Sequence, residues 1–267
     1  MSVHAKNNVQ VSGDGGATIV FTHGFGCDQT MWRFLAPGFR DRFRVITYDL
    51  TGSGHSDLSA YNRERYGTLH GFAHDLLNIV EECATGHVVL AGHSVGAMIG
   101  MLATIAAPQR FLAQVMVSPS ACYINDGDYV GGFERADIDE LLETMDANYL
   151  GWSSSLAPAI MGAPGRPHLG KELTDSFCRN DPEIAKHFAR TTFLSDHRAD
   201  VPRSITPALI LQCSDDLIAP RGAGEYLHRH LPKSELRLID NIGHCPHMSA
   251  PTPSARAIDA FLAATLD

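Results

Sequence analysis

The chain has 267 residues and a formal net charge of −9, from 21 basic and 30 acidic side chains. This balance argues against nucleic acid or an anionic membrane as the main partner. Hydrophobic residues make up 44% of the chain, which suits a globular protein with a sizeable core and excludes a disordered one. Residues 1–8 lack the apolar segment of a signal peptide, and the six cysteines include no Cys-x-x-Cys pair. We therefore expect a cytoplasmic α/β protein with reduced thiols.

Short apolar runs alternate with helical patterns along the first half of the chain. Residues 4–13 are compatible with a small hairpin around Asn7 and Asn8. A helix is predicted over residues 69–84, and another directly after Ser94. Buried strands are predicted over residues 17–22, 44–49, 88–91 and 112–118. This alternation predicts a mostly parallel, doubly wound sheet that helices cover on both faces.

The alternation stops between residues 122 and 195, where helical spacing dominates. Ile138, Leu142 and Met145 fall on one face of a helix, and turn signals such as residues 180–182 separate the segments. We predict a mostly helical insertion over the carboxyl ends of the strands, where α/β sheets bind ligands. The last predicted elements are strands at 208–213 and 235–239 and a helix near 254–264.

The segment with the clearest chemical meaning is Gly92-His93-Ser94-Val95-Gly96, between a predicted strand and a predicted helix. In that context the two glycines allow a tight turn that lifts the central serine above the sheet. The hydroxyl then lies at a helix N-terminus, where free amides and the helix dipole favour negative charge. A plain Gly-Ser turn is the alternative, so the remainder of the chain must supply the partners of a nucleophile.

A neutral serine hydroxyl needs a base, because it is a poor nucleophile near neutral pH. His244 follows the last predicted strand and is the candidate base. Asp216 follows the preceding strand and is the candidate for the carboxylate that orients the imidazole, with Asp215 as the alternative. The order Ser, Asp, His along the chain is that of α/β-hydrolases.

Two backbone amides are predicted to form an oxyanion hole. One belongs to Val95, and the other to Phe25 in the loop after the first long strand. The histidines and cysteines show no metal-ligand spacing, and no dinucleotide-binding glycine loop follows a strand. We therefore expect neither a metal nor a cofactor.

Six segments spread along the chain resemble the RsbQ family of bacterial stress-signalling α/β-hydrolases, and through it the plant strigolactone and karrikin receptors. They are HGFGCDQ (23–29), GSGHSD (52–57), GHSVGA (92–97), GGFE (131–134), FLSDHR (193–198) and GHCPHM (243–248). The resemblance implies an α/β-hydrolase core over residues 1–121 and 196–267. It implies a cap of four helices, arranged as a V, over residues 122–195. Ser94, Asp216 and His244 match the family's catalytic triad.

The same resemblance implies a closed apolar pocket beneath the cap. Its wall is expected to include Phe25, Phe133, Trp152 and Phe193, for which cap-to-core packing is the alternative role. Such a pocket suits a small hydrophobic ester-like compound. The family further implies a positive regulator of a stress response that acts with a PAS-containing phosphatase. A metabolic carboxylesterase without a signalling partner is the alternative, because the triad is common to both.

Overall fold

The computed structural model describes residues 2–266 and contains a seven-stranded sheet. Its strands are β1 (Gln10–Ser12), β2 (Ala17–Thr22), β3 (Phe43–Thr47), β4 (Val88–His93), β5 (Phe111–Val117), β6 (Ala208–Asp215) and β7 (Ser234–Ile242). Their order in the sheet is β1-β3-β2-β4-β5-β6-β7. Strand β1 runs antiparallel to β3, and the other neighbouring pairs are parallel.

The described part of the chain contains ten α-helices. They are α1 (Val3–Asn7), α2 (Leu69–Cys83), α3 (Val95–Ala106), α4 (Arg135–Ala147), α5 (Tyr149–Met161), α6 (Pro167–Arg179), α7 (Pro182–Phe193), α8 (Arg221–His230), α9 (Pro246–Ser249) and α10 (Pro251–Leu266). Helix α2 buries Phe72, Leu76 and Ile79, as the helical spacing of these residues predicts. The last helix begins before the predicted residue 254, because Pro251 is compatible with the first helical turn.

The central strands are buried on both faces, which explains their continuous apolar runs. All six residues of β4 are buried, and β5 is buried from Ala113 to Val117. This is the pattern of parallel strands between two helical layers. Because β2, β4, β5, β6 and β7 run in parallel, their carboxyl ends meet at one edge of the sheet. The loops that follow these strands are therefore brought together there.

The N-terminal segment differs from the predicted hairpin over residues 4–13. It forms the short helix α1 and then β1, which pairs with β3 and not with a local partner. Tertiary contacts decide this outcome. The Asn7 side chain donates to the Asp49 carbonyl at 3.0 Å, and Lys6 lies 2.7 Å from the buried carboxylate of Asp75. Asn8, at φ 48°, ends the helix in the left-handed region.

The four helices α4 to α7 lie between β5 and β6 along the chain, within the segment predicted to form a cap. We refer to these four helices as the cap. Helix α4 packs against α5 and α7, and α5 packs against α6. Proline at the first position of α6 and α7 suits the start of each helix. Asp181 caps α7, since its carboxylate accepts from the amides of Glu183 and Ile184. Local signals therefore set the helix boundaries in this segment.

Two further observations describe the chain as a whole. None of the helices within residues 2–266 combines the length and the apolar character that a membrane crossing requires. The six cysteines are free thiols, and five of them are buried.

Candidate active site

Ser94 occupies the tight turn between β4 and α3. Its φ of 55° and ψ of −124° lie in a region that costs a non-glycine residue about 1–3 kcal/mol. A Cβ atom on Gly92 would lie 2.5 Å from the Gly96 carbonyl oxygen, and one on Gly96 would collide with the carbonyl oxygen of His23. The two glycines therefore allow β4, α3 and the loop after β2 to approach each other closely.

His244 and Asp216 form a buried hydrogen-bonded pair at the carboxyl edge of the sheet. Nδ1 of His244 donates to Oδ2 of Asp216 at 2.8 Å and lies 3.0 Å from Oδ1. Oδ1 also accepts from the amides of Ile218 at 2.9 Å and Ala219 at 3.0 Å. The carboxylate is thus fixed by its own loop, and it fixes the imidazole with Nδ1 protonated. Asp215, the alternative acid, is exposed and does not contact the imidazole in the described chain.

The Nε2 atom of His244 is buried and has no hydrogen-bond partner among residues 2–266. This is the atom that a catalytic base uses. The Ser94 hydroxyl is paired elsewhere, since its Oγ lies 3.3 Å from the hydroxyl of Tyr123. Ser94 and His244 nevertheless line the same cavity. The structure therefore brings the three predicted triad residues to one site, with the Asp–His contact formed and the Ser–His contact open.

Tyr123 is a site residue that the sequence analysis missed. It lies in the loop after β5, so its position at the carboxyl edge of the sheet was the available signal. Complete burial raises the pKa of its hydroxyl well above the usual range for tyrosine. Tyr123 therefore stays protonated and can donate a hydrogen bond to a neighbouring oxygen at every working pH.

Two buried histidines hold the loops around Ser94. His23 donates from Nδ1 to the Gly24 carbonyl at 2.8 Å and accepts at Nε2 from the Leu50 amide at 2.9 Å. His93 donates from Nε2 to the carbonyl oxygen of His244 at 2.9 Å. Burial lowers the pKa of both imidazoles, most strongly that of His93, so both act as neutral hydrogen-bonding groups.

The two amides predicted to form the oxyanion hole both flank the cavity. Val95 is the first residue of α3, directly after Ser94, and Phe25 lies in the loop that His23 holds. Neither amide donates a hydrogen bond to another group in the described part of the chain. Both are therefore available to a bound oxygen atom.

The cavity beside Ser94 is narrow and mainly apolar. Its volume is about 30 Å³, which is room for one or two water molecules. Its wall combines six apolar side chains from the core and the cap with the reactive groups. The apolar members are Phe25, Ile160, Leu173, Phe177, Phe193 and Ile218. Two of the four aromatic residues predicted for the wall, Phe25 and Phe193, lie in it.

The other two predicted aromatic residues, Trp152 and Phe133, do not line this cavity among the described residues. The indole of Trp152 stacks on Phe177 at 5.9 Å, so Phe177 separates it from the cavity. Phe133 is only partly buried, and its amide donates to the Tyr123 carbonyl at 3.1 Å. It supports the loop that carries Tyr123 and stays outside the wall.

One group of described residues has potential metal ligands close together, namely His93, Cys245 and His247. Their ligand atoms lie within 4.8 Å of one another, and all three residues are buried. However, burial raises the pKa of the Cys245 thiol well above its ordinary value, whereas a metal ligand must be a thiolate. The ring of His247 packs against Trp32 at 4.7 Å and His93 at 4.4 Å. We assign this cluster to packing, and the expectation of no metal stays a prediction.

Residues 19–257 match the alpha/beta hydrolase family. The chain belongs to this family. The predicted α/β-hydrolase fold is thereby confirmed, as is the broad expectation of a hydrolytic enzyme.

Individual relatives of this alpha/beta hydrolase cover nearly its full length. It is 38% identical to the karrikin insensitive 2 receptor CA of Petunia hybrida over 93% of each chain. It is 39% identical to the probable esterase D14L of Oryza sativa subsp. japonica, again over 93% of each chain. A solved hydrolase from Oleispira antarctica superposes with a TM-score of 0.94 at 42% identity, covering 97% of this chain and 96% of the other.

Because the turn at Ser94 is tightly packed, we expect two glycine-to-alanine substitutions in α3 to change the free energy of unfolding in opposite directions. Gly96→Ala should lower the free energy of unfolding by at least about 2 kcal/mol, because the new methyl group meets the backbone of Thr22 and His23. Gly100→Ala is the matched control, since its Cβ meets only Leu90 at 3.6 Å and alanine favours a helix. Urea denaturation measures both, and equal stability of the two variants would contradict this account of the turn.

Burial of His247 predicts a pH dependence of stability. Burial lowers its pKa from 6.5 to about 3, so below pH 6.5 the unfolded chain binds a proton that the folded chain does not. Stability should therefore fall as the pH drops below 6.5, by up to about 1.4 kcal/mol per pH unit for this residue.

The control is His247→Phe, which keeps an aromatic ring beside Trp32 and removes the titration. His23 and His93 shift in the same direction and remain in the variant. The slope of unfolding free energy between pH 6.5 and 5 should be shallower in the variant. An unchanged slope would show that His247 is protonated equally in both states.

Proposed function

We propose that this protein is a serine hydrolase that cleaves small hydrophobic esters through an acyl-enzyme on Ser94. The observation that carries the proposal is the buried His244–Asp216 pair, whose unpaired Nε2 shares a cavity with the Ser94 hydroxyl. The probable esterase from Oryza sativa subsp. japonica and the hydrolase from Oleispira antarctica support it by their similarity.

The reaction begins with a rotation of the Ser94 side chain from Tyr123 towards His244. Nε2 takes the hydroxyl proton as Oγ attacks the ester carbonyl, and the Asp216 carboxylate stabilises the resulting imidazolium. The amides of Phe25 and Val95 donate to the oxyanion, and each such donor contributes about 3–4 kcal/mol to transition-state stabilisation. His244 then protonates the leaving alcohol. A water molecule, activated by the same base, releases the acid and restores Ser94.

The cavity wall supports a small apolar substrate. Its described side chains include no aspartate, glutamate, lysine or arginine, so nothing in it balances a charged substrate. Ligand-binding cavities are typically about 300–1,000 Å³, whereas this one measures about 30 Å³. Binding of a substrate therefore requires lining side chains, among them Ile160, Leu173 and Phe193, to move apart.

A second candidate function is a signalling hydrolase of the RsbQ type. The similarity to a petunia receptor favours it. A ligand or its slow turnover would reshape the cap, and a PAS-containing phosphatase would recognise the new shape. Capture of such a phosphatase from the native host only in the presence of ligand tests this role. Capture of no cap-dependent partner favours the metabolic carboxylesterase.

The triad assignment predicts strongly non-additive losses of activity. Ser94→Ala should lower kcat for 4-nitrophenyl acetate by at least about 10³-fold, and His244→Ala should do about the same. The double variant should be little worse, because the two residues act in one proton transfer. Steady-state kinetics measures these rates, and losses that multiply in the double variant would overturn the assignment.

We expect asparagine substitutions of the neighbouring residues Asp215 and Asp216 to have very different effects on activity. Asp216→Asn should lower kcat by about 10⁴-fold, because an amide no longer holds the imidazole with Nδ1 protonated. Asp215→Asn is the matched control and should retain nearly full activity, since its side chain is exposed. Thermal melts verify that both variants are folded. A silent Asp216→Asn beside an inactive Asp215→Asn would transfer the acid role to Asp215.

A further inference from the structure

Thr192 carries a buried hydroxyl that nothing in the described chain satisfies. The residue is 1% exposed, and its Oγ1 atom has no hydrogen-bond partner among residues 2–266. It lies near the end of α7 and contributes to the wall of the cavity beside Ser94. A buried hydroxyl without a partner costs free energy, so its presence in an apolar wall calls for an explanation.

Neighbouring helical hydroxyls show how such a group is normally satisfied. The Thr191 hydroxyl lies 3.1 Å from the carbonyl oxygen of His187, four residues earlier, and 3.0 Å from that of Tyr66, and it donates to these oxygens. Ser153 donates in the same way to Tyr149 at 2.8 Å. This bond within the helix is the usual solution for serine and threonine. Thr192 makes no such bond to Phe188, so its hydroxyl keeps its hydrogen-bonding capacity in a residue that lines the cavity.

The polar groups that line the cavity come from two different parts of the fold. The groups around the reaction centre, Ser94, Tyr123 and His244, follow strands of the core. Thr192 comes from the cap helix α7 and is followed by Phe193, whose ring packs against Phe25 at 5.9 Å. Thr192 therefore belongs to the part of the wall that α7 contributes, away from the strand-end loops that carry Ser94 and His244.

We propose that Thr192 determines specificity by donating a hydrogen bond to a second oxygen of the substrate, distinct from the ester carbonyl that Ser94 attacks. This inference rests on the proposed function. It narrows the substrate class to small, uncharged esters or lactones that carry a further acceptor, such as a ketone, an ether or a second carbonyl oxygen. A plain alkyl ester leaves the hydroxyl unpaired and is the poorer substrate.

The test compares 4-nitrophenyl pentanoate with analogues in which an ether oxygen or a ketone replaces one acyl methylene at successive positions. For the wild type, at least one oxygen-bearing ester should have the higher kcat/KM. Thr192→Val is nearly isosteric and should lower that preference about tenfold, whereas Thr192→Ser should keep it within about threefold. Thr191→Val is the matched control, because its hydroxyl is already paired, and it should leave the preference unchanged.

Stability provides a readout that does not depend on activity. Thr192→Val should leave the melting temperature unchanged or raise it, because it replaces an unpaired buried hydroxyl by a methyl group. A marked fall would reveal a structural partner and overturn the proposal. So would an oxygen preference that is the same in the wild type and in Thr192→Val. Failure of the proposed function is separate, since it would appear as hydrolysis that survives Ser94→Ala.

Discussion

The left-handed conformation of Ser94 is the constraint on which the site depends. It is possible only where β4, α3 and the loop after β2 pass within backbone contact, and the bare Cα atoms of Gly92 and Gly96 permit this. The same crossing places the Val95 amide beside the serine oxygen. It also brings the Phe25 loop, held by His23, to the opposite side. The turn at Ser94 thus sets the positions of the serine hydroxyl and of the two amides that are predicted to form an oxyanion hole.

The other half of the site is organised separately, several strands away. Asp216 and His244 follow β6 and β7, so their loops must reach back towards β4. The His93–His244 hydrogen bond spans this gap and fixes the backbone of the base relative to the strand that carries Ser94. In the proposed mechanism, a rotation of the Ser94 side chain away from Tyr123 brings its hydroxyl to His244.

The sequence predicted the site best where a secondary-structure pattern coincides with residue types of known chemistry. The motif around Ser94, and the positions of Asp216 and His244 after apolar strands, placed these residues at one edge of a parallel sheet. The N-terminal helix was missed because contacts of Lys6 and Asn7 with distant residues decide it. Such contacts leave no periodic signal in the sequence.

The sequence also could not predict the direction in which side chains of the cap helices point. An aromatic residue on a helix that borders a cavity can face the cavity or a neighbouring helix, and Trp152 faces Phe177. Tyr123 lies in an irregular loop. Thr192 resembles an ordinary helical threonine in the sequence, and only the structure shows that its hydroxyl lacks a hydrogen-bond partner among residues 2–266. In both cases the role that we assign follows from hydrogen bonds seen only in three dimensions, which spacing along the chain does not encode.

The cap and the catalytic base share a direct connection that bears on both candidate functions. The amide of His244 donates to the carbonyl oxygen of Ile160 in α5 at 2.8 Å, and the Ile160 side chain lines the cavity. Gly243, at φ 105°, approaches the Met161 carbonyl so closely that a side chain would not fit. The backbone of His244 is therefore tied directly to the end of α5. This contact links the proposed base to a helix that lines the cavity, and both candidate functions require such a link.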